Sequence, residues 1–206
     1  MEGEVSEIEV RLAEHERRRE GWGYALLRAV WANDATVFNR VYSFTYEKLS
    51  RVRTHGDHLL SWRWGRLPDG SWGVLDANSA TDGNLDYALA LVLAHRRGWQ
   101  APPGLPDYRE EASRVQADIL AKEVVALPGG DLLLTPGNWH ELKPPYLVNP
   151  SYFSPAAYRL FAKFTFPVRG DSGGDQKLPP LPLTPSRQGR GNSNQEDVWN
   201  RLYHST

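Results

Sequence analysis

One stretch, Ser71 to Trp99 (SWGVLDANSATDGNLDYALALVLAHRRGW), limits what this chain can fold into more than any other. Leu85, Ala88, Leu89, Val92 and Leu93 recur at helical spacing, which predicts a helix over Asn84–Arg97. Tyr87, Ala90, Leu91 and Ala94 fill the positions between them, so this helix is apolar nearly all round. Such a helix has to be covered on several sides, as in the inner layer of a multi-layer helical fold. Ahead of it, Asp76 through Gly83 has turn chemistry. Thr81, Asp82 and Asn84 are candidate caps, Arg96 and Arg97 suit the C-terminal dipole, and Gly98 is a stop. A carboxylate at the mouth of a buried helix is either a cap or a functional group, and on local sequence alone Asp82 reads as a cap.

Composition narrows the class. The chain has 206 residues, 40% hydrophobic and 11% aromatic, enough for one domain with its own core. A net charge of −1 gives no reason to expect a nucleic-acid partner. The chain has no cysteine, hence no disulfide framework and no Cys-based zinc site. Asp57 and His58 have no partner at metal-ligand spacing, and no HExxH, EF-hand, phosphate-loop or Gly-x-Ser-x-Gly pattern occurs. Neither a metal nor another cofactor is therefore expected. No apolar run approaches the roughly 20 residues of a membrane span. The N-terminal MEGEVSEIEVRLAEHERRRE carries no hydrophobic signal region. Eight Trp and nine Tyr are many for this length. They serve either as core or, in part, as platforms for flat ligands.

In chain order, residues 1–19 are mostly charged and read as a solvated segment. Tyr24, Leu27, Val30 and Trp31 then share one helical face. Asp34 can cap a second helix with the face Val37, Phe38, Val41, Phe44 and Leu49, giving an αα-hairpin. Trp62-Arg63-Trp64 reads as a short extended piece with both rings on one side. A further helix is expected from Tyr108 to Ala126 with Ala112, Val115, Ile119 and Val124 as its stripe, ended by Pro128-Gly129-Gly130. Asp131 to Thr135 follows as a short extended run, then a Pro136-Gly137-Asn138-Trp139 turn. Ser154 and Pro155 open a helix over Ala156–Lys163. From residue 167 to 206 the chain is rich in Pro, Gly, Ser, Asn and Gln and is expected to be a disordered tail.

Four blocks in this order resemble glycoside hydrolase family eight, the bacterial endoglucanases with chitosanase, lichenase and xylanase relatives. They are Glu20-Gly21-Trp22-Gly23-Tyr24, Ala80-Thr81-Asp82-Gly83 with its alanine-spaced helix, Gly137-Asn138-Trp139, and Asn149-Pro150-Ser151-Tyr152-Phe153. The Trp62-x-Trp64-Gly65 element is similar as well. The chain departs from the pattern at Arg19, Trp22, Asn84 (Asp in the family), Tyr87 and in the placing of Trp99. The resemblance implies an all-α fold, an (α/α) six-hairpin toroid with short extended loops, here incomplete and covering residues 20–166. It also implies an inverting endo-β-1,4-glucanase whose partner is a β-glucan chain, acting in a secreted or periplasmic setting. Glu20 would be the catalytic acid and Asp82 the group that grips the distorted sugar. Trp62, Asn78, Trp139 and Tyr152 would contact substrate.

Taken alone, a Glu before a helix is an ordinary N-terminal dipole partner, and Trp62 could simply pack. The general base of the family sits in a Tyr-Asp-Ala-x-Arg block, and no Tyr-Asp-Ala occurs here. Asp171 and Asp175 are the nearest later carboxylates. The expectation is therefore an impaired glucanase, cut or frame-shifted near Phe166, whose open apolar helix faces drive self-association. The rival readings are a non-catalytic glucan-binding module and a helical interaction fragment.

Overall fold

A computed structural model describes residues 21–139, 143–164 and 195–205. The described chain is mostly helical. α1 (Gly21–Trp31) and α2 (Ala35–Leu49) form the expected αα-hairpin. Asp34 caps α2, its carboxylate accepting from Val37 N at 2.9 Å. A single turn, α3 (Val52–His55), leads to a hairpin of β1 (Arg63–Arg66) and β2 (Trp72–Asp76). α4 (Thr81–Arg96) is the central helix, followed by α5 (Tyr108–Lys122). A second hairpin, β3 (Val124–Ala126) and β4 (Leu132–Leu134), precedes a 3-10 turn (Pro150–Tyr152), α6 (Pro155–Phe164) and α7 (Gln195–Ser205).

α4 is covered as its composition requires. Leu85, Tyr87, Ala88, Ala90, Leu91, Val92 and Ala94 are all buried, under α1, α5 and α6. Leu89 and Leu93 are only half-buried. The α1 face differs from the sequence reading. Gly23, Leu26, Leu27, Ala29 and Val30 are buried, whereas Tyr24 and Trp31 are exposed. Gly23 explains the choice: a Cβ there would lie 2.6 Å from Asp86 Cβ and 3.4 Å from Gly83 O. The start of α1 thus lies directly on the first turns of α4, and that contact rotates Tyr24 outward. On α2, Val37 is likewise exposed, while Tyr42 and Thr45 join Phe38, Val41 and Leu49 inside.

Two further expectations are corrected. The helix that starts at Tyr108 stops at Lys122, and Val124 belongs to a strand, so Pro128-Gly129-Gly130 turns a hairpin and does not end a helix. β-branched Val124 and Val125, facing Leu133 and Leu134 across that turn, favour the strand. The tail expectation fails over its last part, because Gln195–Ser205 is a helix packed on α6 and β4. Val198 and Leu202 lie one turn apart and are buried with Trp199. Trp199 stacks on Tyr158 at 5.8 Å and meets Phe161 edge-on at 4.9 Å. The shift in composition after Phe166 therefore falls between two packed helices and does not mark the edge of the fold. Residues 1–20 and 165–194, including Glu20, Phe166, Asp171 and Asp175, lie outside the described residues. Among the described residues no helix is long and apolar enough to cross a membrane.

Trp199→Ala is expected to cost about 3–5 kcal/mol, the usual range for emptying a buried tryptophan site. Urea unfolding followed by far-UV circular dichroism checks this. An unchanged midpoint would mean that α7 is not docked.

Candidate active site

The residues singled out from sequence are carried by five different segments, and backbone contacts bring most of them together. Trp62 N donates to Asn78 O at 2.9 Å, which joins the approach to β1 to the loop before α4. Asn78 is exposed, and its N–H bonds the Asp76 carboxylate at 2.9 Å in a local Asx turn. α4 begins at Thr81 with Ala80 as its N-cap residue, and no side chain caps it there. Asp82 is in the first turn and half-buried, its Oδ1 accepting from Gly83 N at 2.8 Å. Asp82 thus meets one of the free N–H groups of the first turn, whereas Thr81 and Asn84 turn to other partners. Thr81 Oγ1 donates to Thr135 O at 2.7 Å instead.

A small cleft of about 30 Å³, open to solvent, lies at the junction of α1 and α4. Trp22, Gly23, Trp62, Ala80, Gly83 and Asn84 are among the groups that line it. Trp62 is half-buried at its wall, while Trp64 packs edge-on to Phe44 at 5.8 Å and Phe44 stacks on Trp22 at 4.7 Å. The two tryptophans of the Trp-x-Trp element therefore have different surroundings, with a register shift between Arg63 and Trp64. Trp139 is exposed in its turn. Gly137 is required there, since a Cβ would sit 2.3 Å from Ser79 O. Tyr152 is half-buried on the 3-10 turn, where Asn149 caps by accepting from Ser151 N at 3.2 Å.

Behind the cleft is a polar cluster that sequence reasoning missed. Glu123 is fully buried, and its Oε1 accepts from both the Ser79 hydroxyl and Asn84 Nδ2, the latter at 2.9 Å. Among the described residues its Oε2 has no hydrogen-bond partner. Ser79 in turn meets Asn138, with Ser79 N donating to Asn138 Oδ1 at 2.8 Å and Asn138 N to Ser79 Oγ at 3.0 Å. Asn84 Oδ1 accepts from Leu60 N at 3.0 Å. The signal that could have found Glu123 was its spacing, four residues after Ile119 and eight after Val115 on the buried stripe of α5.

A second buried carboxylate, Asp57, is neutralised in a different way. Arg51 reaches it with Nη2 at 3.1 Å and Nε at 3.1 Å, and Lys122 Nζ at 2.6 Å. Arg51 Nη1 also donates to Ala77 O at 2.8 Å, bracing the loop that carries Asn78. His58 Nδ1 pairs with buried Glu111 at 2.9 Å, and His58 N donates to Asp118 at 2.6 Å. Among the described residues no group of three or more His, Asp or Glu is placed to hold a metal ion.

Burial pushes the Glu123 carboxyl up to about 7, with the Ser79, Asn84 and Thr81 side chains and the Arg51 charge pulling the other way. A carboxyl raised on folding stabilises the fold below its unfolded value, and that contribution is lost as pH rises through the folded value. Between about pH 4.5 and 7 the parent should therefore lose stability relative to Glu123→Gln, by on the order of 3 kcal/mol at most. Urea midpoints of the two proteins at pH 5 and pH 8 check this, and parallel pH profiles would refute it.

Comparison with known proteins shows the family. The model for glycosyl hydrolases family 8 matches residues 8–169. An endoglucanase of Pseudomonas fluorescens (strain SBW25) is 35% identical over 150 residues, 72% of this chain and 36% of that protein. The structure of endo-β-1,4-glucanase CMCax from Acetobacter xylinum aligns with a TM-score of 0.59 at 30% identity, covering 71% of this chain and 43% of its own. Rex8A from Paenibacillus barcinonensis, solved with xylose, aligns at TM-score 0.63 over 91% of this chain and 42% of its own, at 20% identity, a likeness of fold alone. The chain thus spans about two fifths of the length of the relatives it matches. Matched by its model over most of the sequence, this chain belongs to glycosyl hydrolase family 8.

Proposed function

We propose that this chain forms the sugar-gripping and acid-bearing part of an inverting endo-β-1,4-glucanase site, built on an incomplete (α/α) toroid. The observation that carries the reading is convergence on one cleft. Trp22 and Trp62 line it, and so do Gly83 and Asn84 from the turn that holds Asp82. Flat sugar faces present axial C–H groups, and a tryptophan face offers them a large apolar contact at low entropic cost. Trp139 and Tyr152, from the two other family-like blocks, extend the binding surface.

In this reading Glu20, immediately before α1, protonates the leaving glycosidic oxygen. Asp82 holds the hydroxyls of the distorted sugar beside the scissile bond and stabilises the oxocarbenium-like charge. Water attacks the anomeric carbon from the opposite face and loses its proton to a base about 6.5–9.5 Å from the acid. No residue of this chain matches the family's base-bearing block, so hydrolysis by this chain alone is impaired. That missing partner also favours a second reading, glucan binding without cleavage. It predicts sugar binding with no release of reducing ends.

Titration with cello-oligosaccharides is expected to quench tryptophan fluorescence, and Trp62→Ala should weaken the apparent affinity about tenfold. A mutant that binds as well as the parent would remove Trp62 from the site. On a cello-oligosaccharide with a poor leaving group, Glu20→Gln and Asp82→Asn should each lower any reducing-end release by about 10²-fold or more. Equal release by both mutants and the parent would refute the two roles.

A further inference from the structure

Glu123 is too deeply buried to touch a ligand in the cleft, yet its contacts reach the segments that build it. One oxygen receives the Ser79 hydroxyl and the Asn84 amide, so it joins the loop before α4 to the first turn of α4. Ser79 passes the connection to Asn138, next to Trp139. Asn84 passes it to Leu60 N, two residues before Trp62. The backbone carbonyl of Glu123 accepts from Thr135 N at 2.8 Å and Thr135 Oγ1 at 3.0 Å, fixing the strand that leads into the Gly137-Asn138-Trp139 turn. Asp82 lies inside this frame, between Thr81, which bonds Thr135 O, and Asn84.

We propose that Glu123 is a positioning residue of the glucan site: as a shared acceptor it holds the Ser79–Asn84 segment and the Trp139 turn in the register that sets Asp82 and Trp62 beside the cleft. The inference rests on the glucan reading above for its functional part. Its physical part is separate. Removing this buried acceptor takes the Asn84 amide's partner away and leaves the Ser79 hydroxyl with Asn138 Oδ1 alone, and buried donors short of partners loosen the segments that carry them. Ser79, Thr81, Asn84 and the Arg51 guanidinium are the polar and charged groups that face this carboxyl. Among the described residues no cation contacts it directly.

Two substitutions separate an acceptor role from mere filling of space. Glu123→Gln keeps an oxygen where Oε1 stands, while Glu123→Met keeps the volume and removes the acceptor. In the full chain, Glu123→Gln is expected to bind cellohexaose within about twofold of the parent and Glu123→Met about tenfold more weakly, with circular dichroism unchanged. Amide hydrogen exchange should quicken at residues 79–84 and 135–139 in Glu123→Met and not in Glu123→Gln. Parent-like binding and exchange in Glu123→Met would overturn the proposal, as would equal damage in both variants. If Glu123→Met does not fold, Ser79→Ala decides with the same two readouts, and no change in either refutes the role. If the parent itself binds no cellohexaose, the glucan reading fails, and the exchange contrast alone then upholds or overturns the positioning role.

Discussion

The burial of most of α4 is the constraint from which the rest of the structure follows. Seven apolar side chains of one helix are removed from water, and Leu85, Leu91 and Val92 among them are worth about 1.5–3 kcal/mol each. α1, α5 and α6 are arranged around it to achieve that. The polar N-terminal turn of α4 emerges at the edge of this core, where backbone and side-chain groups need partners other than water. Thr81 finds Thr135, Asn84 finds Leu60 N and Glu123, and Ser79 finds Asn138. The same packing brings Gly23 of α1 against Gly83 and Asp86, which places Trp22 beside the cleft. One apolar helix thus fixes both the core and the mouth of the site.

Two buried carboxyls next to this core show two ways of tolerating burial. Asp57 is met by Arg51 and Lys122, which compensate its charge directly. Glu123 is met by a hydroxyl and an amide, donors without charge, and burial moves its titration up to about 7. The first cluster ties α2, α3 and α5 together behind the Asn78 loop, through the Arg51 bond to Ala77 O. The second ties the α4 entrance to the Trp139 turn. Together they back the cleft with polar contacts that have defined directions, which apolar packing alone does not supply.

Much of this was legible in the sequence. The apolar run of α4, the Asp34 cap, the Gly137-Asn138-Trp139 turn and Pro155 at a helix start all follow from local rules that act within a few residues. What failed depended on distant partners. Tyr24 and Trp31 fit one helical face as well as Leu26 and Val30 fit another, and only the approach of α4 at Gly23 decides between them. Glu123 falls four residues after Ile119 on the buried stripe of α5, but a pattern of apolar residues passes over a carboxylate at such a position. The α7 helix was masked by composition. Averaging over 167–206 dilutes Val198, Trp199, Leu202 and Tyr203 among Pro, Gly and Ser, although their spacing is helical. Asn84, read at first as a departure from a family pattern, has a physical place here as the donor to Glu123.

The central claim is that the α1–α4 cleft holds a β-glucan chain. Nuclear magnetic resonance of the indole N–H groups tests it most directly, since tryptophans lie both at the cleft and deep in the core. On titration with cellohexaose, the signals of Trp22 and Trp62 should shift in a saturable way. That of Trp199, buried between Tyr158 and Phe161, should stay where it is. Unmoved Trp22 and Trp62 signals at saturating sugar, or shifts confined to tryptophans away from the cleft, would contradict the account.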